Sequence, residues 1–380
     1  MGIEDLRAKI DEIDREVVEL FNKRMQVSAE IAKDKKETGK AVFDPARERA
    51  LLAKVAELAG PETEQYAIGL YSLIMELSKS YQHKILYPTS NLADKVAAAL
   101  DNTDKIFPKR AMVACQGVEG ANSQIACEKL FQLPNIMYFN NFEGVFSAVE
   151  MGLCKYGVLP LENSIAGSVN KIYDLMIKHN FSIVRSTRIK VDHNLLAKKG
   201  TKLSDIKEIF SHDHAINQCT EFLKGLKNVK VTVCENTAVA ARMVAESDRT
   251  DIAALSSRAC INLYDLECLA ESVQDNGNNY TRFICISKDL EIYPGADRTS
   301  IMVVTSHRPG ALYRIMSKFN AMGLNLLKIE SRPLPDRDFE FSFYFDFEAS
   351  VYSKDFGNML SELENSVEDF RYFGTYSELV

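Results

Sequence analysis

From Leu6 to Thr38 the chain contains neither glycine nor proline, and apolar residues recur at Leu6, Ile10, Ile13, Val17, Leu20, Val27 and Ile31. That 3–4 spacing marks one amphipathic helix. At 1.5 Å per residue it extends ~50 Å. Asp44-Pro45 supplies an N-cap and a first-turn proline for a second helix through Ala59. Gly60 ends it, and Pro61 opens a third helix carrying Tyr66, Leu70, Leu73, Ile74 and Leu77. Two shorter helices cannot cover a stripe of that length, and a second copy of the chain is the economical cover. Residues 1–87 are therefore expected to form an all-α, intertwined dimeric domain.

The texture then changes. Residues 88–109 read as a connector with one helix at Asn91–Leu100. Strands are expected at Ala111–Cys115, Tyr156–Leu161, Phe181–Ile189, Glu208–Phe210, Val229–Cys234, Ile252–Leu255 and Thr281–Ser287. Helices between them include Ser123–Phe131, His214–Leu223 and Ala238–Ala245, and this alternation predicts an α/β domain over 110–287. Lys288–Arg298, with Pro294-Gly295, reads as a linker. Residues 299–377 follow a β-α-β-β-α-β order, with strands Ser300–Thr305, Leu326–Leu334, Phe339–Glu348 and Phe370–Tyr376 and helices Pro309–Met322 and Lys354–Ser366. That order is the α+β ferredoxin-like arrangement.

A length of 380 residues suits two to four domains. The net charge of −7 argues against a general nucleic-acid partner. No apolar run reaches the ~18–20 residues that span a bilayer. The first residues lack the apolar core of a signal peptide, and Leu6 stands where a myristoylation signal wants Ser or Thr. Eight cysteines, from Cys115 to Cys285, contain no C-x-x-C pair, which suits reduced thiols in the cytoplasm.

Arg24 interrupts the apolar stripe, and Lys35 lies eleven residues on, ~20° round the helix and ~16 Å along it. A single such arginine could snorkel. Two long basic side chains on one face, Arg24 and Lys35, can also reach toward a small anion between them. Arg47 stands beside Glu48 on the second helix, and Ser78 and Gln82 share a face of the third. Arg7 is ~25 Å from Arg24 along the helix, so it joins such a site only from a partner chain. Fixed cations with few general bases suit a substrate with two carboxylates and a polarised transition state. In order and spacing, Leu6-Arg7, Arg24, Lys35, Asp44, Arg47-Glu48, Ser78 and Gln82 resemble the all-helical chorismate mutase family. The resemblance implies a Claisen rearrangement of chorismate to prephenate. Arg7, Arg24 and Arg47 would hold the carboxylates, Lys35 and Gln82 would donate to the ether oxygen, and Glu48 would accept from the ring hydroxyl. Asp44 and Ser78 would complete the polar wall. Asp44 is equally an N-cap, and Arg47-Glu48 equally a solvated helix face.

In the middle region, Gly117–Ser123 joins a strand to a helix and could hold an anion, although it is neither G-x-G-x-x-G nor a P-loop. His212-Asp213-His214 is read as a polar loop in preference to a metal pair. Pro160-Leu161-Glu162-Asn163-Ser164 with Gly167, Ser211-His212 with Gln218-Cys219, and Asn279-Tyr280-Thr281-Arg282-Phe283 place dense polar groups beside buried strands. These stretches resemble the prephenate dehydratase family, which implies a two-lobed, periplasmic-binding-protein-like α/β domain with a cleft. The resemblance makes Thr281 the donor that helps the hydroxyl leave as CO₂ is lost. Asn163, Ser211, Gln218 and Arg282 would bind prephenate, with Glu162 a proton source if burial raises its pKa and otherwise a structural acceptor. Two departures from the family pattern, Val118 and Asn122, stand at the first turn.

Arg308-Pro309-Gly310-Ala311-Leu312 and Glu330-Ser331-Arg332-Pro333 resemble the ACT regulatory domain of the same dehydratases. There, Gly310, Ala311, Leu312, Glu330, Ser331, Arg332 and Pro333 would frame a phenylalanine site between paired subunits; the bland reading of Gly310 is a helix cap. In order, the three regions resemble the bifunctional chorismate mutase–prephenate dehydratase family. The expected small molecules are chorismate, prephenate and L-phenylalanine as effector, with no metal, cofactor, nucleic acid or membrane partner. Two rivals are a mutase with a silent dehydratase and a non-catalytic metabolite sensor.

Overall fold

The computed structural model describes residues 2–87, 90–305, 310–334, 340–353 and 356–380. Two compact units result, one of Met1–Ala98 with Ile301–Arg371 and one of Ala99–Ser300 with Tyr372–Val380. Among the described residues no helix is long and apolar enough to cross a membrane. All eight cysteines are free.

The first unit opens with α1 (Ile3–Thr38), α2 (Pro45–Ala59), α3 (Glu64–Leu86) and α4 (Asn91–Asn102). Glu4 and Asp5 at the start of α1 and Lys35 and Lys36 at its end complement the helix dipole. Gly39 closes α1 in the left-handed conformation, its N–H bonding the Lys35 carbonyl at 2.9 Å. The face of α1 that packs on α3 is not the apolar stripe: Ser28 and Ala32 are buried, and Phe21, Arg24, Met25 and Lys35 are half-buried. Leu6, Ile10, Ile13, Val17, Leu20, Val27 and Ile31 stay 44–63% exposed. Arg24 thus meets α3 although Leu20 and Val27, at the neighbouring steps of the spacing, stay exposed.

The second unit has two lobes. The first contains β1 (Arg110–Gln116), α5 (Asn122–Leu130), β2 (Leu133–Phe139), α6 (Phe142–Glu150), β3 (Tyr156–Asn163), β4 (Gly167–Ser168), α7 (Asn170–His179) and β5 (Ser182–Lys190). The second comprises β6 (Asn194–Lys198), β7 (Glu208–Ser211), α8 (Asp213–Gln218), α9 (Thr220–Gly225), β8 (Lys230–Val233), α10 (Thr237–Glu246), β9 (Ile252–Ser256), α11 (Ala259–Leu263) and β10 (Leu266–Ala270) in a sheet ordered β10-β6-β9-β7-β8. The chain returns to the first lobe as β11 (Tyr280–Ser287), which runs antiparallel between β5 and β3. The two crossings are hydrogen-bonded to each other, Val191 N–H to Asn279 O and Val273 N–H to His193 O, each at 2.8 Å. They form a double-stranded hinge. The first turn also docks across the lobes: Val118 and Ala121 pack on the second lobe's core, and the Ser257 hydroxyl donates to Gly120 O at 2.9 Å. A Cβ on Gly120, at φ +87°, would stand 2.8 Å from Cys260 Sγ.

β12 (Arg298–Val304), α12 (Ala311–Ala321), β13 (Asn325–Pro333), β14 (Phe341–Glu348), α13 (Phe356–Ser366) and β15 (Asp369–Leu379) complete the chain. Their strand order β13-β14-β12-β15 is the ferredoxin-like one. Phe319 of α12 packs edge-on against Phe345, and Leu360 and Leu363 of α13 are fully buried. The expected Arg308, Pro309, Phe339 and Lys354 lie outside the described residues. The end of β15 joins the second unit, where Ser377–Leu379 pairs in parallel with Arg185–Thr187 of β5.

Several elements depart from the sequence reading. His214–Leu223 is two short helices, because the Asp275 carboxylate takes the Thr220 and Glu221 N–H groups at 2.9 and 3.0 Å and restarts the helix. β2 carries no clear strand signal in the sequence because Pro134 interrupts it, which an edge strand tolerates. The expected linker is packed, with Ile292, Tyr293 and Ala296 buried. Gly374 has φ +129°, and a Cβ there would lie 2.5 Å from the Ile183 carbonyl oxygen of β5. Gly374→Ala should lower stability by about 2 kcal/mol. With no tryptophan in the chain, the tyrosine signal reports the urea midpoint. Gly152→Ala, with open space around it, is the control and should cost less.

Candidate active sites

In the first unit the inner face of α1 meets α3 through a polar chain. Lys35 Nζ donates to Val42 O at 2.8 Å and to Gln82 Oε1 at 3.2 Å. Gln82 Nε2 donates to Ser28 Oγ at 3.1 Å, and Ser28 Oγ donates to Ser78 O at 3.5 Å. Arg24 donates to the Ser78 hydroxyl, which itself donates to Ile74 O at 2.9 Å. Ser78 and Gln82 are buried although they sit on a helix surface. Such groups need fixed partners, and the cluster supplies them. Burial pushes the Arg24 guanidinium and the Lys35 ammonium below their ordinary pKa values; Asp44 and Glu48 pull Lys35 partly back.

The remaining expected residues divide. Asp44 caps α2, its Oδ1 accepting from the Ala46 and Arg47 N–H groups at 3.1 and 3.0 Å. Glu48 is half-buried and pairs with Lys79 at 2.8 Å; Lys79 also pairs with Glu76 at 2.7 Å. Nothing in the sequence marks Lys79, because α3 offers no local sign that its partner is on α2. Arg47 is exposed. Arg7 is exposed at the far end of α1, paired with Glu4 at 2.8 Å. One chain therefore assembles Arg24, Lys35, Ser78 and Gln82, and leaves Arg7 remote.

In the second unit the hinge carries a chain of neutral groups. His193 Nε2 lies 2.9 Å from Gln218 Oε1, which also accepts from Asn279 Nδ2 at 2.8 Å. Gln218 Oε1 is an acceptor, so His193 carries its proton on Nε2. Asn163 Nδ2 then reaches Asn279 Oδ1 at 2.7 Å and Thr281 Oγ1 at 3.0 Å. Asn163 Oδ1 is held by the Ile165 and Ala166 N–H groups at 3.0 and 2.8 Å. Thr281 Oγ1 thus accepts from Asn163, and its own O–H is available to donate outward. His193 and Asn279 were not singled out as site residues. Asn279 adjoins the T-R-F stretch, whereas His193 has no local motif.

Glu162 and Arg282 form a separate pair at 2.9 Å, with Arg282 also donating to the Tyr376 hydroxyl at 2.8 Å. Here Glu162 is an ion-pair acceptor. Glu378, almost fully buried, receives Arg188 at 3.0 Å and Arg298 at 3.1 Å beside them. Ser211 is fully buried and donates to Leu255 O at 2.8 Å, apart from the Asn163–Thr281 chain. His212 accepts the His214 N–H at 3.2 Å and caps α8. Among the described residues no group of three or more His, Cys, Asp or Glu is placed to hold a metal.

In the C-terminal fold Gly310, at φ +78°, caps α12 directly ahead of Ala311 and Leu312. Glu330, Ser331, Arg332 and Pro333 close β13 opposite Tyr344, Phe343, Ser342 and Phe341 of β14. Arg308 and Pro309 lie outside the described residues.

Comparison with known proteins follows the same division. The family model "Chorismate mutase type II" matches residues 6–83, and "Prephenate dehydratase" matches residues 113–291. Arogenate dehydratase/prephenate dehydratase 2, chloroplastic, of Arabidopsis thaliana is 34% identical over 314 residues, covering 80% of this chain and 81% of the relative. The bifunctional chorismate mutase/prephenate dehydratase of Escherichia coli (strain K12) is 29% identical over 379 residues, 98% of this chain and 95% of the relative. Among solved structures, prephenate dehydratase in complex with L-Phe from Arthrobacter aurescens superposes with a TM-score of 0.64 at 28% identity, covering 70% of this chain and 89% of that one.

The hinge histidine makes the fold sensitive to acid. Burial holds His193 below its ordinary pKa, so below pH ~6.5 the unfolded chain takes up a proton that the folded one refuses. Its contribution is full above that pH and falls as the pH drops. The stability gap between wild type and His193→Asn should narrow from pH 7.5 to pH 5.5 in urea titrations; a constant gap would count against the buried neutral imidazole.

Proposed function

The chain belongs to the prephenate dehydratase family, with a chorismate mutase domain ahead of the dehydratase, and on that premise we propose how its residues divide the work. It is a bifunctional enzyme of phenylalanine biosynthesis, rearranging chorismate to prephenate and converting prephenate to phenylpyruvate. The reading assigns residues 1–87 to the mutase, 88–109 to a connector, 110–287 to the dehydratase, 288–298 to a linker and 299–377 to an ACT domain.

In the mutase, Arg24 and Arg47, with Arg7 of a second copy, hold the substrate carboxylates. Lys35 and Gln82 face the ether oxygen, where negative charge grows as the C–O bond breaks. The observation that carries this is the Lys35–Gln82 contact at 3.2 Å on a wall where Ser78 and Gln82 are buried. The contact holds both side chains in place before substrate arrives, which favours the transition state. Glu48 accepts from the ring hydroxyl, and Asp44 and Ser78 shape the wall. In the dehydratase, Thr281 donates to the departing hydroxyl while Asn163 holds its oxygen. Gln218 acts through the hinge chain, Arg282 and Glu162 set the strand behind Thr281, and Ser211 supports the second lobe.

The outward stripe of α1 supports an intertwined homodimer, because so much exposed apolar surface on one helix face is an interface in waiting. L-phenylalanine is the proposed effector at Gly310–Leu312 and Glu330–Pro333, supported by the solved relative in complex with L-Phe. Eight free cysteines favour a cytoplasmic setting.

Substitutions should separate the activities. Lys35→Ala should lower chorismate turnover by about 10²–10³-fold and leave prephenate turnover intact. Thr281→Ala should do the reverse, by about 10²-fold. Loss of both activities in either variant would mean that the two sites are not independent. The depressed Lys35 pKa places the alkaline loss of mutase activity below the ordinary lysine value of ~10.4. Val17→Asp, on an exposed position of the single chain, should yield a monomer in sedimentation that has lost the mutase and kept the dehydratase. A dimer with full mutase activity would refute the interface.

A further inference from the structure

Helix α3 has a second polar face, at the half-buried Ser80. Ser80 is two residues from both Ser78 and Gln82, and so ~160–200° round the helix from them. Its hydroxyl donates to Glu362 Oε2 of α13 at 2.5 Å. Glu362 Oε1 receives Lys318 Nζ of α12 at 2.6 Å, and both charged side chains are buried. The two helices of the C-terminal fold are thus tied by an ion pair, and that pair is bonded to the helix carrying Ser78 and Gln82.

Beside this contact lies a cavity of about 560 Å³, bordered by Leu77, His83, Lys318, Phe356, Met359 and Glu362. Well-packed interiors leave few voids larger than a water molecule. Beside such a gap, a directional bond with an ionised partner adds to what sets the position of the helix, and such bonds are roughly twice as strong as neutral ones. A rigid helix transmits any shift at Ser80 to Gln82 over two residues, about 3 Å of rise.

We propose that Glu362 is a positioning residue for the mutase. Through Ser80 it sets α3, and with it Gln82 against Lys35, so that the C-terminal fold acts on the mutase without passing through the dehydratase lobes. The inference rests on the assignment of Gln82 to the mutase site.

Ser80→Ala removes the bond to α3 and leaves the Lys318–Glu362 pair whole. Misplacement of Gln82 by a fraction of an ångström should lower mutase kcat about tenfold with little change in chorismate KM. Ser80→Thr, which keeps the hydroxyl, should restore kcat, and prephenate turnover should stay level in both. Glu362→Gln should reproduce the kcat loss; because it leaves Lys318 buried without its charge partner, its folding is checked by circular dichroism and Ser80→Ala decides if it unfolds. Gln82→Ala in the same assay separates the two claims. If Gln82→Ala abolishes the mutase while Ser80→Ala keeps wild-type kcat, the positioning role is overturned and the site stands. If Gln82→Ala leaves the mutase intact, the site assignment falls and the positioning role falls with it. A kcat loss in Ser80→Ala that Ser80→Thr does not restore also overturns it, since the hydroxyl would then not be the link.

Discussion

A helix of 36 residues, ~54 Å long, cannot be covered by the two shorter helices that follow it. From that mismatch comes the arrangement of the first unit. α3 covers α1 only from Phe21 onward: every residue of α1 from Ile3 to Leu20 is exposed, and Val27 and Ile31 stay exposed beside the contact. The covered face is polar, and Arg24, Ser28 and Lys35 occupy it. Had the stripe packed on α3, those groups would have faced solvent, where ion pairs and hydrogen bonds contribute little. Facing α3, they are partly desolvated and held by Ser78 and Gln82, so their charge acts at fixed points. The same length separates Arg7 from Arg24, so in the proposed mutase site Arg7 has to come from a second chain.

The dehydratase solves a different problem. The site proposed for it lies where the chain crosses twice between lobes, and a hinge of two extended segments exposes backbone and side-chain groups that a sheet interior would satisfy. The chain from His193 through Gln218, Asn279 and Asn163 to Thr281 satisfies them with neutral partners. Neutrality matters here. An ionised group in that chain would compete for the Thr281 hydroxyl, whereas an amide donor on its oxygen leaves the proton directed outward. The ions stand on the other side of the strand, where Arg282 joins Glu162 and Tyr376 near Glu378.

The residues that were legible in the sequence were those whose setting is local. The spacing of Leu6 through Ile31, the Asp44-Pro45 cap and the i, i+4 pair Ser78 and Gln82 each declare themselves within a turn or two. The alternation of β1, β3, β5, β9 and β11 with helices was equally plain. What escaped depends on partners distant in sequence. Lys79 is defined by Glu48, His193 by Gln218, and the break at Cys219 by Asp275. Ser211 looks like a site residue from its motif, yet Leu255 O claims its hydroxyl. Arg24 shows the limit from the other direction: its break in the apolar spacing is readable, but not that it meets α3 while Leu20 and Val27 stay exposed, because it lies only ~40–60° round the helix from them.

Helix α3 carries this logic furthest. A helix buried between two layers would ordinarily be apolar on both sides. Instead α3 places Ser78 and Gln82 toward α1 and Ser80 toward α13, with Leu73, Ile74 and Leu77 among them. Each buried polar group is worse than an apolar one unless its partner is in place, since an unmade bond there costs about 1–3 kcal/mol. An apolar α3 could slide or rotate by small amounts at little cost, particularly next to a cavity. A polar one has a single setting in which Arg24, Lys35 and Glu362 are all satisfied. The requirement that one short helix meet partners on opposite faces at once is what makes its register unique, and a catalytic wall needs that uniqueness more than it needs the added stability.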